Sequence, residues 1–222
     1  MMKVYIELTV INSADISFST AWSKLYTQLH LALVEMQDAN GQVPIGVSFP
    51  EYNVGESKGK KLMLLGSKLR IFAQDEATLN KLNLAKWLAR LEDYIHLKSI
   101  KPVPENVQNY LVVSRYRPKS NIELIARRVV KRKQITLEQA MEYLNTVDEA
   151  RKLKGYEQKW EPFPYIQLKS LSGKQDFSLC IKQIVADEIR GGVFSTYGLS
   201  SVSTVPHWKY LTNKFCSLKI CR

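Results

Sequence analysis

Eight basic residues lie between positions 115 and 133, against a single acidic residue, Glu123. They are Arg115, Arg117, Lys119, Arg127, Arg128, Lys131, Arg132 and Lys133. Ser120 followed by Glu123 is a capping-box pattern, which predicts a helix over 120–133. At 100° per residue the apolar side chains of this helix share one arc, and its basic side chains share the opposite one. One face is therefore predicted to pack, and the other to form a cationic stripe.

This stripe could bind phosphate groups, because each basic side chain that meets a phosphate releases a counterion. A solvated helix face is the alternative, but acidic residues usually dilute such a face, and they are missing here. An anionic membrane surface would need large apolar residues beside the charge, which this helix lacks. Nucleic acid is the favoured partner.

The composition agrees with an anionic partner and argues against several other classes. The 222 residues carry a formal net charge of +11, and no apolar run approaches the roughly 20 residues that span a bilayer. The start, MMKVYIELTV, has no secretory pattern, so we expect a cytoplasmic protein without membrane partners. The three cysteines and three histidines are not at metal-ligand spacing, so we expect no metal and no other cofactor.

The first hundred residues predict the order strand, helix, strand, strand, helix, strand. Alternating apolar residues predict a strand over 3–10, and apolar residues at three- and four-residue spacing predict a helix over about 20–37. Further strands are expected at 45–52, 68–74 and 93–103, and a second helix, capped by Asp75, at 75–90. The segment GESKGKK between two of these strands is interpreted as a polar loop.

This βαββαβ order indicates an α+β protein that begins with a ferredoxin-like domain, a fold that many unrelated functions share. Pro102 and Pro104 suggest a linker, after which the charge distribution changes. We therefore predict a ferredoxin-like domain over 1–103 and a second α+β domain over 104–222 that carries the basic helix. The hydrophobic and basic end of the chain, over 207–222, has no assigned role beyond a possible added strand.

Five blocks of sequence occur in the order found in the type I-F CRISPR repeat endoribonucleases, with the basic helix placed after the third. They are LHLALV (29–34), IGVSFPEY (45–52), VSRYRPKSN (113–121), YIQLKSLSGKQDF (165–177) and GGVFSTYGLS (191–200). The chain resembles that family. The resemblance implies a protein that binds a hairpin in CRISPR repeat RNA, cuts it at its base and retains the product as a subunit of a type I-F effector complex.

The resemblance also implies catalysis without metal, by attack of a 2′-hydroxyl that leaves a cyclic phosphate. The family's catalytic histidine corresponds to His30. Histidine is the residue type whose ordinary pKa lies near neutrality, which suits proton transfer. The sequence leaves open whether His30 acts as acid, base or both. The serine that holds the attacking hydroxyl corresponds to Ser170, with Ser172 as a competitor. The tyrosine of the family's YGLS segment corresponds to Tyr197, which would orient His30 or polarise the phosphate.

For RNA recognition the resemblance assigns Arg115 to a guanine near the bottom of the stem and Phe177 to stacking on its terminal base pair. Arg117 stands where a member of the family has glutamine, a departure that affects the expected base preference. Four further positions of the family's basic helix correspond to Arg127, Arg128, Lys131 and Arg132, whereas Ala126 replaces one of its arginines.

Two alternatives stay open at this point. The first is a non-catalytic subunit of a ribonucleoprotein that binds structured RNA. The second is a protein that binds RNA duplexes broadly through its basic helix, as a ribosome-associated protein would. Together His30, Ser170 and Tyr197 favour an enzyme, because a protein that only binds would not need all three.

Overall fold

The computed structural model describes residues 1–57, 60–117, 122–153, 163–170, 173 and 175–208. The elements of the first hundred residues are β1 (Val4–Val10), α1 (Phe18–Glu35), β2 (Gln42–Val43), β3 (Gly46–Ser48), β4 (Asn53–Ser57), β5 (Lys60–Leu64), β6 (Lys68–Ala73), α2 (Glu76–Leu82), α3 (Leu84–Leu88), β7 (Ile95–Leu97) and β8 (Lys101–Pro102). The later elements are β9 (Asn109–Tyr116), α4 (Ile122–Lys133), α5 (Leu137–Leu153), β10 (Tyr165–Lys169), β11 (Asp176–Val185), β12 (Phe194–Ser195) and β13 (Thr204–His207).

The first sheet has the order β3-β6-β1-β7, with β8 also paired to β1. Every pairing in it is antiparallel. The predicted alternation in β1 is confirmed, since Val4, Ile6, Leu8 and Val10 are all buried. Helix α1 packs its apolar face into the same core, and Ser17 caps it by accepting a hydrogen bond from the Thr20 N–H group at 3.1 Å.

The single helix predicted over 75–90 is wrong, although its cap is right. Asp75 accepts from the Thr78 N–H group at 2.8 Å and starts α2 as expected. Asn83 then adopts a left-handed conformation, with φ 46° and ψ 55°, which separates α2 from α3. Asparagine tolerates this conformation better than most residues, and the helical periodicity does not register such a break.

The polar segment GESKGKK is not simply a loop. Much of it belongs to an antiparallel hairpin of β4 and β5, in which Asn53 pairs with Leu64 and Val54 with Met63. Val54, Met63 and Leu64 of this hairpin are exposed. Backbone pairing does not require burial, so the polar composition did not prevent a strand here.

Two predicted strands are shorter than expected. The strand over 45–52 is reduced to β3, because Pro50 has no N–H group and the Phe49 N–H group donates to the Gln183 side chain at 2.8 Å. The strand over 93–103 is divided into β7 and β8, which pair with different parts of β1.

The second sheet has the order β10-β11-β9-β13, and its pairings are antiparallel. Its buried residues Val113, Ile166 and Leu179 belong to the same hydrophobic core as the first sheet. The Gln183 side chain also donates to the Phe49 carbonyl at 3.1 Å, and the Tyr52 hydroxyl donates to the Ile181 carbonyl at 3.2 Å. Both sheets therefore share one core.

Contacts divide the chain into two compact units, residues 1–116 with 163–222, and residues 117–162. The divisions between these units do not coincide with the predicted domain boundary between 103 and 104. That boundary stays a prediction. None of the helices in the described part of the chain is long and apolar enough to cross a membrane.

The second unit contains α4 and α5. Helix α4 ends at Lys133 as predicted, followed by Gln134 with φ 54°. Its predicted start at Ser120 lies outside the described residues. Helix α5 was not predicted, although its signal is present in the sequence. Thr136 and Gln139 exchange reciprocal hydrogen bonds of 3.1 and 3.2 Å, which is a capping box.

Candidate active site

Helix α1 presents two side chains, one turn apart, to the carbonyl groups of a distant turn. The Tyr26 hydroxyl donates to the Tyr197 carbonyl at 2.9 Å, and His30 Nδ1 lies 2.8 Å from the Thr196 carbonyl. Burial raises the pKa of the Tyr26 phenol above its ordinary value, so this phenol stays protonated and donates. These two contacts attach the turn to the helix.

The contact with Thr196 also determines the tautomer of His30. A carbonyl oxygen only accepts, so Nδ1 must carry a hydrogen and donate it. In the neutral imidazole, Nε2 is then the nitrogen with a free lone pair, and in the imidazolium it is a donor. Nε2 is therefore the atom of His30 that is able to exchange a proton with a bound molecule.

The turn that holds Tyr197 is built by short-range hydrogen bonds and one glycine. The Ser195 N–H group donates to the Leu199 carbonyl at 2.9 Å, and the Gly198 N–H group donates to the Ser195 carbonyl at 2.7 Å. Gly198 has φ 69°, and a Cβ atom there would lie 2.6 Å from Val47 Cγ1. Only glycine satisfies both the left-handed conformation and this close approach.

Tyr197 lies in the middle of an aromatic and cationic cluster. Its ring stacks on the His30 imidazole, with centroids 4.1 Å apart and an interplanar angle of 4°. The Phe177 ring meets it edge to face at 6.5 Å. The Arg115 guanidinium carbon lies 5.3 Å from the Phe177 centroid and 5.9 Å from the Tyr197 centroid. The stacking restricts the imidazole to one plane.

Ser170 lies in the turn after β10, which ends at Lys169. Ser170 therefore follows the strand instead of belonging to it. Its Oγ atom accepts a hydrogen bond from the Gly173 N–H group at 3.1 Å, and its own N–H group donates to the Gln175 carbonyl at 2.8 Å. These bonds hold the hydroxyl at a defined place in the turn. Ser172, the competing candidate, lies outside the described residues.

All three predicted catalytic residues line one pocket of about 300 Å³. Its lining consists of Thr27, His30, Leu31, Val34, Leu168, Lys169, Ser170, Phe177 and Tyr197. The structure thus brings together an imidazole, a hydroxyl, a phenol and an aromatic ring around one space. Such an arrangement suits proton transfer to a molecule bound in the pocket.

The remaining basic residues belong to the second unit. Arg127, Arg128, Lys131 and Arg132 are exposed on α4, while Ala126 and Val129 are buried against Ala140 of α5. The predicted division into a packed face and a cationic face therefore holds for these residues. Arg117, the first residue of this unit, is exposed. Lys119 lies outside the described residues.

Sequence reasoning missed two residues that build the site, Tyr26 and Thr196. Tyr26 recurs at helical spacing with Trp22 and Leu29, so the sequence pattern predicts only a place on the apolar face of α1. Its position one turn before His30 was the available signal. Thr196 contributes a backbone carbonyl, for which no side-chain pattern exists.

Comparison with known proteins identifies the family. A family model described as CRISPR-associated protein (Cas_Csy4) matches residues 5–208. A protein of Escherichia coli (strain UTI89 / UPEC), named CRISPR-associated endonuclease Cas6/Csy4, is 35% identical over 207 residues, covering 92% of this chain and 99% of that protein. The chain belongs to this Csy4 family of CRISPR-associated proteins, which confirms the resemblance found in the five sequence blocks.

Other comparisons extend this result. A protein of Pseudomonas aeruginosa (strain UCBPP-PA14) with the same name is 32% identical over 210 residues, covering 92% of this chain and 99% of that protein. A solved structure described as "An RAMP protein binding different RNA substrates" covers 92% of this chain and 100% of its own at 12% identity, with a TM-score of 0.34.

Proposed function

We propose that this protein is an endoribonuclease that cuts CRISPR repeat RNA at the base of its hairpin without a metal ion. We infer that it then stays bound to the 3′ hairpin of the product as a cytoplasmic subunit of a type I-F effector complex. Family membership and the two curated relatives, both named CRISPR-associated endonucleases, support this proposal. The observation that carries the catalytic part is the contact between His30 Nδ1 and the Thr196 carbonyl, which leaves Nε2 for chemistry.

In the proposed reaction the 2′-oxygen before the cut attacks the neighbouring phosphorus. The new O2′–P bond closes a 2′,3′-cyclic phosphate, and the P–O5′ bond breaks. The 2′-hydroxyl loses a proton, and the leaving 5′-oxygen gains one, so the step balances without a metal or a cosubstrate. His30 Nε2 exchanges a proton in this step, Ser170 positions the 2′-hydroxyl, and Tyr197 orients the imidazole by stacking on it at 4.1 Å.

The proposed recognition of the stem uses the cluster beside the pocket. Phe177 is only partly buried, which leaves ring surface for stacking on the terminal base pair. Arg115 is exposed, and its guanidinium lies against the Phe177 and Tyr197 rings, so the fork has few orientations from which to bind a guanine edge. Arg117 follows two residues later as a further contact.

The exposed basic side chains of α4 are proposed to contact the phosphates of the stem.

We also propose a ferredoxin-like domain for the first hundred residues. The antiparallel order β3-β6-β1-β7, with helices connecting β1 to β3 and β6 to β7, supports this assignment.

The proposed function is tested by incubating the wild-type protein with a labelled type I-F repeat hairpin in EDTA. We expect a single cut at the base of the stem, a 3′ end that resists phosphatase until acid opens the cyclic phosphate, and tight retention of the hairpin product. A protein that binds the hairpin but never cuts it would instead be a binding subunit. Equal binding to unrelated hairpins would indicate a general duplex-binding protein.

The phosphate contacts of α4 predict a change in the salt dependence of binding. Replacing Arg128 and Arg132 by alanine is expected to reduce the slope of log K against log salt by about two, one for each lost contact. Fluorescence anisotropy of the labelled hairpin across a salt series measures this slope. The matched control replaces the exposed lysines Lys3 and Lys81 by alanine. An equal change in slope for both double variants would contradict the assignment of α4.

A further inference from the structure

A second groove lies beside the His30 pocket, between α1 and the segment that contains α3. Its volume is about 580 Å³. Thr27 lines both this groove and the His30 pocket. Thr27 precedes His30 by three residues on α1, which is about one helical turn. A chain bound at His30 therefore has a path into the groove along the surface of α1.

The groove is cationic. Lys24 lies on one wall, and Lys86 and Arg90 lie on the other, all three with exposed side chains. Among the described residues that line it, Glu35 is the one carboxylate. The excess of positive charge favours an anionic occupant, and two walls of opposed cations suit a phosphate backbone that runs between them.

An aromatic ring accompanies these cations. Trp87 lines the groove and is only partly buried, because part of its indole packs against the hydrophobic core. The remaining indole surface is available to a base. Basic side chains that follow a backbone, together with an aromatic ring that stacks on a base, are the combination by which proteins bind single-stranded nucleic acid.

We propose that this groove binds the single-stranded RNA on the 3′ side of the cut, with a base stacked on Trp87 and phosphates near Lys24, Lys86 and Arg90. This inference rests on the proposed function. The proposed stem contacts, Arg115 and Phe177, adjoin Tyr197 and do not line the groove. The strand that continues beyond the cut phosphate at His30 is therefore the one directed along Thr27 into the groove.

The test measures binding with RNA that cannot be cut, so its result does not depend on cleavage. Three hairpins carry a 2′-deoxy nucleotide before the cut: one with a 3′ flank of about ten nucleotides, one with a single 3′ nucleotide, and one with the long flank moved to the 5′ side. Trp87→Ala is expected to weaken binding of the first RNA about tenfold and to leave the other two unchanged, because only the first has a 3′ strand that extends along the groove.

The charge contribution is tested in the same way. Lys24→Glu/Lys86→Glu/Arg90→Glu should weaken binding of the RNA with the long 3′ flank by at least about tenfold. The control variant, Lys3→Glu/Lys81→Glu/Lys101→Glu, changes the net charge equally at exposed lysines outside the groove and should affect all three RNAs alike. In addition, a 5-iodouridine in the 3′ flank should cross-link to Trp87.

Three results would overturn the proposal. Sensitivity to the 5′ flank instead of the 3′ flank would assign the groove to the other strand. Equal effects of the groove and control variants would show that the groove residues affect RNA binding only through nonspecific charge. Unchanged binding of every RNA would leave the groove to another occupant, such as an acidic protein segment. Failure of the wild type to cut in EDTA would refute only the proposed catalysis, since these binding measurements use uncleavable RNA.

Discussion

Replacing His30 by alanine is expected to lower the rate of hairpin cleavage by about 10²- to 10⁴-fold, the range for loss of a general acid or base. Hairpin binding should stay nearly unchanged, because the proposed stem contacts are made by Arg115, Phe177 and the α4 side chains. Single-turnover cleavage with excess protein measures the rate of the chemical step, and anisotropy with an uncleavable hairpin measures the affinity.

A second substitution separates the chemistry of His30 from its structural contact. In His30→Asn the amide nitrogen has the reach to replace Nδ1 as the donor to the Thr196 carbonyl, but it carries no group that titrates near neutrality. We expect His30→Asn to be as inactive as His30→Ala. The control is His96→Ala, since His96 is exposed on β7 and does not line the pocket. Recovery of cleavage in His30→Asn would show that His30 only holds the turn.

The second large effect concerns stability. Arg70 is fully buried in the first sheet, where its Nε atom donates to Glu7 Oε2 at 3.0 Å and one terminal nitrogen donates to the Trp208 carbonyl at 2.9 Å. The Trp208 ring lies over the guanidinium at 3.9 Å. Burial lowers the pKa of Arg70, and the hydrogen bond and charge of Glu7 oppose this change, so the guanidinium stays charged.

Arg70→Ala is therefore expected to lower the free energy of unfolding by about 3–5 kcal/mol, because it leaves the Glu7 carboxylate buried with one partner removed. Lys98→Ala removes another partner of Glu7, which donates to Glu7 Oε1 at 2.8 Å but has 38% of its side chain exposed. Water replaces that ammonium group easily, so this variant should cost only about 1 kcal/mol or less. Urea unfolding followed by tryptophan fluorescence compares the two.

The double variant Glu7→Leu/Arg70→Met keeps the prediction testable if Arg70→Ala fails to fold. Apolar residues of similar volume in place of a buried ion pair are often neutral or stabilising, so the double variant should be more stable than Arg70→Ala. Equal losses in Arg70→Ala and Lys98→Ala would contradict the role of burial. If the double variant is no more stable than Arg70→Ala, the lost contacts between Arg70 and Trp208 matter more for stability than the buried charge of Glu7.

Features that depend on residues close together in the chain can be predicted from the sequence alone. The alternation in β1, the amphipathic face of α1, the cap at Asp75 and the end of α4 at Lys133 were all predicted. Each depends on a repeat or a cap within a few residues, where side-chain geometry follows directly from the backbone period. The resemblance indicated the family and pointed to His30, Ser170 and Tyr197 as catalytic residues, and their roles stay proposals.

How those residues meet depends on the folded chain. His30 and Thr196 are 166 positions apart in the chain, and Tyr26 and Tyr197 are 171 positions apart. The turn is placed beside α1 by two contacts with the first hundred residues. Phe194 in β12 pairs with Val43 in β2, and Gly198 approaches Val47 closely. No local period encodes such contacts, because they arise when distant strands and helices bury a common core. The tautomer of His30 could therefore not be predicted from the sequence, since it depends on a backbone carbonyl that only folding brings close to the helix.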